Sequence, residues 1–275
     1  MNRLAAIALA CALCAGCARL DSFIYGSAPA PAEGYQFKTD IIPADAITEL
    51  SLEAPGGQKL SAVYVKSSGA HKDITILYFH GQSGNIGNTW PRVELLYPLG
   101  YNIQSVDARG FGKSPGPPTE PGIHGDLLFF RDELIKRTGV DPNKIIYYGR
   151  SLGGGFAFDL ASTQPPGVLI DESTFTSVQA LVTDGSWGDL PVSSLADSRW
   201  DNLAKIANIA SPLLVLHGTV DDYVDPKYGK ELAAAHKGVT KLVLVEGADH
   251  NTVPAKMGLD NYRQTIADFV AANLK

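Results

Sequence analysis

The feature that most constrains the fold is the sequence Gly149-Arg150-Ser151-Leu152-Gly153, which directly follows an apolar run and directly precedes a helix-forming segment. A serine between a strand and a helix sits in a sharp turn whose strained backbone exposes the hydroxyl. Glycines two residues before and after it remove side chains that would collide across that turn. A glycine-rich packing turn would give the same short pattern, but the strand, turn and helix context favours a nucleophilic serine.

Short β-rich runs alternate with helical patterns from about residue 48 onward. The runs LSLEA and KLSAVYV, separated by a Pro-Gly-Gly turn, predict an antiparallel pair. Further buried strands are predicted at ITILYFH (74–80), NIQSVDA (102–108), KIIYYG (144–149), VLID (168–171), PLLVLHG (212–218) and KLVLVEG (241–247). This alternation predicts an α/β fold with a mostly parallel central sheet of about eight strands and helices on both faces. Residues 174–211 have no strand pattern and leave room for a minimal cap only.

The first seventeen residues, MNRLAAIALACALCAGC, have the pattern of an export signal. Arg3 precedes an apolar stretch of about ten residues, which is too short to span a bilayer. Ala15-Gly16-Cys17 resembles the end of a bacterial lipoprotein signal, in which the cysteine is lipidated and becomes the new N-terminus. Cys14 stands where that pattern prefers leucine. An ordinary secretory signal with an incidental cysteine is the alternative interpretation.

The lipoprotein interpretation divides the chain into a signal peptide at 1–16, a tether at 17–40 and an α/β domain at 41–275. The tether prediction rests on the Pro, Ala and Gly residues of 26–34. It implies an exported protein of the bacterial cell envelope, attached to the membrane through a lipid on Cys17 and facing the periplasm. No sequence pattern specifies an oligomeric state.

Cysteine usage and charge exclude several other kinds of site. All three cysteines lie in the first seventeen residues, so the domain has no disulfide framework, thiolate nucleophile or cysteine-based zinc site. The net charge is −6 and no Lys/Arg run occurs, which argues against nucleic acid as a partner. The expected partner is a small-molecule or acyl substrate, and no metal or organic cofactor is required.

A nucleophilic serine needs a base, and the base needs an acid that orients it. After a nucleophile elbow these partners follow in the order acid, then histidine, on loops that leave later strands. His250 lies on the loop after KLVLVEG and is the predicted base, whereas His217 ends a strand and is interpreted as a buried structural histidine. The loop after PLLVLHG offers Asp221 as the acid, with Asp222 as the alternative.

The negative charge that develops on the substrate's carbonyl oxygen needs backbone N–H donors. One is predicted at Leu152, directly after the nucleophile. The other is predicted at Gln82 in the loop His80-Gly81-Gln82-Ser83-Gly84-Asn85, although Gln82 could also be an ordinary loop residue. His80 and Asn85 are interpreted as residues that hold this loop in shape.

Six motifs in register resemble the BEM46-like group of α/β hydrolases, which includes the mammalian α/β-hydrolase-domain proteins 13 and 17. They are LYFHGQSGNIG, VDARGFGKSPGPPTEPG, YYGRSLGGG, DESTFTSV, PLLVLHGTVDDYVD and GADHNTV, and they cover about residues 50–273. The resemblance implies the α/β-hydrolase fold and a triad at Ser151, Asp221 and His250. It also implies oxyanion amides at Gln82 and Leu152, although Gln82-Ser83 stands where the group commonly has Asn-Ala.

These observations predict a serine hydrolase that cleaves carboxylic ester or thioester bonds through an acyl-enzyme, an activity of the esterase or thioesterase class (EC 3.1). The group contains depalmitoylating thioesterases and many proteins of unknown substrate. Two alternatives stay open. One is a serine peptidase or aminopeptidase on the same fold, and the other is a non-catalytic envelope protein with a hydrolase fold.

Overall fold

A computed structural model describes residues 24–26, 29–31, 34–37, 39–184 and 198–274. Within these residues a single eight-stranded sheet has the strand order β1-β2-β4-β3-β5-β6-β7-β8. The strands are β1 Ile47–Ala54, β2 Gln58–Val65, β3 Thr75–Phe79, β4 Asn102–Asp107, β5 Ile145–Arg150, β6 Val168–Glu172, β7 Leu213–Gly218 and β8 Thr240–Val245. The β2 strand runs antiparallel to both of its neighbours, and all the other pairs are parallel. The predicted fold class is therefore confirmed.

Helices cover both faces of this sheet. They are α1 Trp90–Leu96, α2 Glu120–Thr138, α3 Leu152–Thr163, α4 Val178–Thr183, α5 Asn202–Ile206, α6 Pro226–Ala235, α7 Val253–Met257 and α8 Leu259–Asn273. Successive strand residues point to opposite faces. Accordingly Leu77 and Phe79 of β3 belong to one apolar cluster, whereas Ile76 and Tyr78 belong to the other. The two clusters explain why the central strands are continuously apolar in sequence.

The described part of the interval between β6 and β7 includes the short helices α4 and α5. Residues 185–197, where part of the predicted minimal cap falls, lie outside the described residues, as do the signal peptide and Cys17. In the part of the chain that the structure describes, no helix is both long and apolar enough to cross a membrane.

The segment predicted as a tether packs against the domain wherever it is described. Ile24 and Tyr25 are buried at 1% and 0% exposure, and Tyr35 is buried at 6%. Pro29 forms a bridge with Gly112, and the ring of Phe37 lies 4.3 Å from that of Trp90 between centroids. Residues 24–26, 29–31 and 34–37 of the predicted tether therefore pack on the domain, because Ile24, Tyr25 and Tyr35 are buried and Phe37 contacts Trp90, which removes apolar surface from water.

Candidate active site

The predicted nucleophile Ser151 lies between the end of β5 and the start of α3, at the carboxyl edge of the sheet. Its φ of 53° and ψ of −123° are a strained conformation for a residue with a side chain. A Cβ on Gly149 would lie 2.3 Å from the carbonyl oxygen of Gly153, and one on Gly153 would lie 2.1 Å from that of Phe79. The glycines therefore permit the sharp turn, as the sequence predicts. Thr174 donates a hydrogen bond of 3.0 Å to the Ser151 carbonyl and supports the turn.

The structure brings the predicted serine, histidine and aspartate together. His250 Nε2 lies 3.0 Å from Ser151 Oγ, and His250 Nδ1 lies 2.8 Å from Asp221 Oδ2. The three residues come from loops after β5, β7 and β8, whose carboxyl ends share one edge of the sheet. All three are buried or nearly so, with exposures of 5%, 9% and 4% for Ser151, His250 and Asp221. This geometry allows a proton to pass from the serine hydroxyl to the imidazole.

The carboxylate of Asp221 is held in place by its own loop. Its Oδ1 accepts the backbone N–H groups of Tyr223 at 3.0 Å and Val224 at 2.8 Å. Burial by itself would raise the pKa of Asp221, but hydrogen bonds from His217 and His250 outweigh it and hold the pKa below its ordinary value. Asp222, the alternative acid, is exposed and lines the cavity instead.

A second histidine contacts the same carboxylate. The Nε2 of His217 lies 3.4 Å from Asp221 Oδ2 and 2.8 Å from the carbonyl oxygen of Val224. Burial would lower the pKa of His217, but its contacts with Asp221 and Val224 raise the pKa above its ordinary value. The sequence predicts His217 as a buried histidine, which the structure confirms, but it does not predict the contact with Asp221. The signal was its position at the end of β7, four residues before Asp221 in the loop that follows.

Arg150, inside the nucleophile motif, contacts the loop that carries His250. Its Nη2 donates to the carbonyl oxygen of His250 at 2.9 Å and to the side chain of Asn251. Its Nε lies 3.9 Å from a carboxylate oxygen of Glu172 at the end of β6. Arg150 therefore links the loop that carries His250 to a buried anion. The sequence predicts no role for Arg150, because the position beside the serine is variable in the motif.

Glu172 is a fully buried carboxylate behind the site. It pairs with Arg92 at 2.9 Å and accepts hydrogen bonds from the hydroxyls of Tyr148 and Tyr262. Burial alone would raise the pKa of Glu172, but the two arginines Arg92 and Arg150 together lower the pKa below its ordinary value. A charge buried this deeply is tolerable because its oxygens face cations and hydroxyl donors.

The loop predicted to carry the oxyanion donor follows β3. Its conformation is fixed by Asp107 at the end of β4, which accepts the Ile86 N–H at 2.9 Å and contacts His80 Nε2 at 3.2 Å. His80 therefore holds the loop in shape, as the sequence predicts. Gln82 lines the cavity that contains Ser151 and His250. Leu152 is the first residue of α3, so its N–H group belongs to a helix N-terminus beside the serine.

A cavity of about 510 Å³ opens over the serine and the histidine. Tyr223 forms one wall, with its ring centroid 5.0 Å from that of His250, and its hydroxyl donates to the Gln82 side chain. The remaining lining is mostly polar and comes from Ser83, Arg150, Val220, Asp222, Asp249 and Asn251. Within the described part of the chain, no three His, Cys, Asp or Glu side chains converge to form a metal site.

Comparison with known proteins agrees with this architecture. Residues 74–198 match the family model described as the alpha/beta hydrolase fold. The uncharacterized protein Rv2307c of Mycobacterium tuberculosis is 30% identical over 84% of this chain and 82% of its own length. Human alpha/beta hydrolase domain-containing protein 17B is 29% identical over 84% of this chain and 77% of its own. The Pyrococcus furiosus esterase Pf2001 superposes with a TM-score of 0.71 at 19% identity, covering 90% of this chain and 100% of that one.

The fold and these matches define the chain as a member of the α/β-hydrolase family. Within that family it belongs to the BEM46-like group, together with protein 17B and its relatives. A hydrolase activity follows from this membership at the level of the class.

Proposed function

We propose that this protein is a serine hydrolase that cleaves carboxylic ester or thioester bonds through a covalent acyl-enzyme. The observation that carries the proposal is the hydrogen-bonded chain from Ser151 Oγ through the His250 ring to Asp221, open to one cavity. A serine, a histidine and a carboxylate in this order form the arrangement that activates a hydroxyl for attack on an acyl carbon.

Acylation begins when Ser151 Oγ attacks the carbonyl carbon of the substrate and its proton passes to His250 Nε2. Asp221 accepts the Nδ1–H of His250, which fixes the tautomer and stabilises the imidazolium. Negative charge develops on the former carbonyl oxygen, and the backbone N–H groups of Gln82 and Leu152 are the proposed donors to it. When the tetrahedral species collapses, the bond to the leaving oxygen or sulfur breaks and that atom takes the proton from His250.

Deacylation repeats the same proton transfers with water. His250 Nε2 takes a proton from a water molecule as the water oxygen attacks the acyl carbon of the ester on Ser151. The bond to Ser151 Oγ then breaks, the serine recovers the proton from His250, and the carboxylic acid leaves. Asp221 stays ionised throughout, which agrees with its lowered pKa.

A fluorophosphonate probe tests whether Ser151 is an activated nucleophile. We expect the probe to label the wild-type protein and to leave Ser151→Ala unlabelled. Ser162→Ala, on α3 with its hydroxyl donating to the carbonyl oxygen of Asp159, is the matched control and should be labelled normally. Absence of labelling in the wild type would favour the non-catalytic envelope protein.

A substrate series then tests the bond that is cleaved. We expect p-nitrophenyl esters of graded chain length and acyl thioesters to be hydrolysed by the wild type and not by Ser151→Ala. The open, mostly polar mouth of the cavity would admit acyl groups of different lengths. Turnover of peptide amides with no turnover of esters would contradict the proposal and favour the peptidase.

We also propose that the protein is exported and attached to the envelope membrane through a lipid on Cys17. Tyr25, which contacts the oxyanion loop, lies eight positions after Cys17. A fully extended chain of this length spans roughly 28 Å at most. A lipid on Cys17 would therefore keep the cavity mouth close to the membrane surface, where acyl substrates are abundant.

Metabolic labelling with palmitate tests the anchor. We expect the wild type to be labelled and to sediment with membranes, and Cys17→Ser to lose both properties. Cys14→Ser is the matched control, because it removes a neighbouring thiol of the same segment. Labelling that persists in Cys17→Ser, or sedimentation without any label, would contradict the lipoprotein interpretation.

A further inference from the structure

The N-terminal segment described at residues 24–26, 29–31 and 34–37, here called the strap, contacts the oxyanion loop from outside. The carbonyl oxygen of Tyr25 accepts the backbone N–H of Ser83 at 3.2 Å. The carbonyl oxygen of Pro29 accepts the side-chain amide of Asn85 at 3.4 Å. Two points of the loop that carries Gln82 are thus fixed by residues more than fifty positions away.

The strap is itself firmly packed, so that its contacts can position the loop. The Tyr25 ring is fully buried and stands edge-on to Phe111, with 6.2 Å between centroids. Its hydroxyl accepts a hydrogen bond of 3.1 Å from Trp200 Nε1 and lies 2.6 Å from Ser198 Oγ. These contacts fix the Tyr25 carbonyl relative to the body of the domain.

The loop needs such support because its backbone is strained beside the donor. Ser83 has a φ of 55°, in the left-handed region that a residue with a side chain rarely adopts. Gly26 of the strap approaches so closely that a Cβ there would lie 2.3 Å from Ser83 Oγ and 3.0 Å from Gln82 Cγ. A side chain at position 26 would therefore push the Ser83 and Gln82 side chains aside or be displaced by them.

We propose that Tyr25 and Gly26 are positioning residues for the oxyanion hole, which set the place of the Gln82 N–H relative to Ser151 from outside the loop. The inference rests on the proposed function, since it assigns Tyr25 and Gly26 a part in the same acyl transfer. An oxyanion donor acts through its preorganised position, so a small displacement costs rate and little substrate binding.

Gly26→Ala tests the proposal, with Gly139→Ala as the matched control. Both glycines have positive φ, 52° and 70°, so that both alanines introduce backbone strain. The Cβ at Gly139 meets open space at the end of α2, whereas the Cβ at Gly26 meets the loop. We expect kcat to fall about 10- to 100-fold in Gly26→Ala with KM within about threefold of the wild type. In Gly139→Ala, kcat should stay within about twofold.

The pH profile separates loop displacement from damage to the triad. The acidic limb of the pH profile of kcat/KM follows protonation of the general base. The pH of this limb should therefore be the same in Gly26→Ala and in the wild type if the substitution displaces only the loop that carries Gln82. Tyr25→Phe removes only the hydroxyl that contacts Trp200 and should lower kcat about threefold. This milder variant tests the same inference if Gly26→Ala fails to fold.

Equal kcat values in Gly26→Ala and Gly139→Ala, or a shifted acidic limb in Gly26→Ala, would overturn the inference. A wild type that hydrolyses neither esters nor thioesters would instead overturn the proposed function. The two failures are distinguishable because the first requires an active wild-type enzyme.

Discussion

The two sides of Ser151 are built in different ways. On the base side, Asp221 and His250 come from loops after neighbouring strands, and backbone N–H groups two and three residues later orient Asp221. On the oxyanion side, the loop after β3 is held by Asp107 from the next strand and by the strap from the N-terminal segment. The acid and the histidine of the base side therefore lie in short motifs, whereas the loop of the oxyanion side also depends on contacts with the distant N-terminal segment.

The largest expected effect falls on the base side and also decides between the two candidate acids. Asp221→Asn should lower kcat about 10⁴-fold, because the amide no longer holds the correct tautomer of His250. Asp222→Asn, at the neighbouring exposed position, should cost less than about tenfold. Steady-state kinetics on one ester checks both variants. A greater loss of kcat in Asp222→Asn than in Asp221→Asn would identify Asp222 as the acid and would contradict the role proposed for Asp221.

Asp171, a buried carboxylate near His217, makes the free energy of unfolding depend on pH. Burial raises the pKa of Asp171 from 3.8 to about 7. Between these values the folded protein binds a proton that the unfolded chain releases, so the free energy of unfolding falls as the pH rises. The pKa change corresponds to about 4 kcal/mol.

Asp171→Asn should remove this fall. We expect the variant to gain stability relative to the wild type between pH 4 and pH 8, as measured by denaturant unfolding at several pH values. Asp260→Asn, at a fully exposed position on α8, is the control and should track the wild type. A constant difference between Asp171→Asn and the wild type at all pH values would contradict the raised pKa.

Arg150→Met tests how the His250 loop is held. The substitution removes the hydrogen bond to the His250 carbonyl and leaves Glu172 with Arg92 as its cation. We expect kcat to fall about 30-fold, which corresponds to roughly 2 kcal/mol, the scale of a lost charged hydrogen bond. Arg150→Lys should recover part of the rate.

An increase of KM alone in Arg150→Met would instead indicate that the guanidinium binds substrate in the cavity, which it also lines. In that case the role of Arg150 would be to bind substrate and not to hold the His250 loop.

The smallest expected effect is on the oxyanion side, at the far end of the strap. Tyr35→Phe removes a hydroxyl that donates to Asp107 and accepts the Lys113 N–H at 3.0 Å. We expect kcat to fall about twofold to fivefold and the free energy of unfolding to fall by about 1 kcal/mol. Tyr101→Phe, a buried tyrosine just before β4 at the opposite edge of the sheet, should leave kcat unchanged. An unchanged kcat in Tyr35→Phe would limit the role of the strap to Tyr25 and Gly26.

The sequence predicts most of the fold because the strands carry strong local signals. Each of the eight strands lies at a run that was identified from apolar content, and β1 and β2 form the antiparallel pair predicted from the turn between them. The packing of the strap has no such local signal, because Pro, Ala and Gly dominate its composition and its apolar residues are too widely spaced to form a periodic pattern.

The sequence by itself determined which strands precede Ser151, Asp221 and His250, and hence predicted that these three residues meet at one edge of the sheet. Strand, turn and helix signals are local, and parallel strands necessarily bring their carboxyl ends to one edge. Only the tertiary structure decided that His217 shares Asp221, that Arg150 joins His250 to Glu172, and that the strap contacts the oxyanion loop. These contacts join residues whose proximity depends on how the helices, loops and N-terminal segment pack onto the sheet, and no local pattern in the sequence encodes that packing.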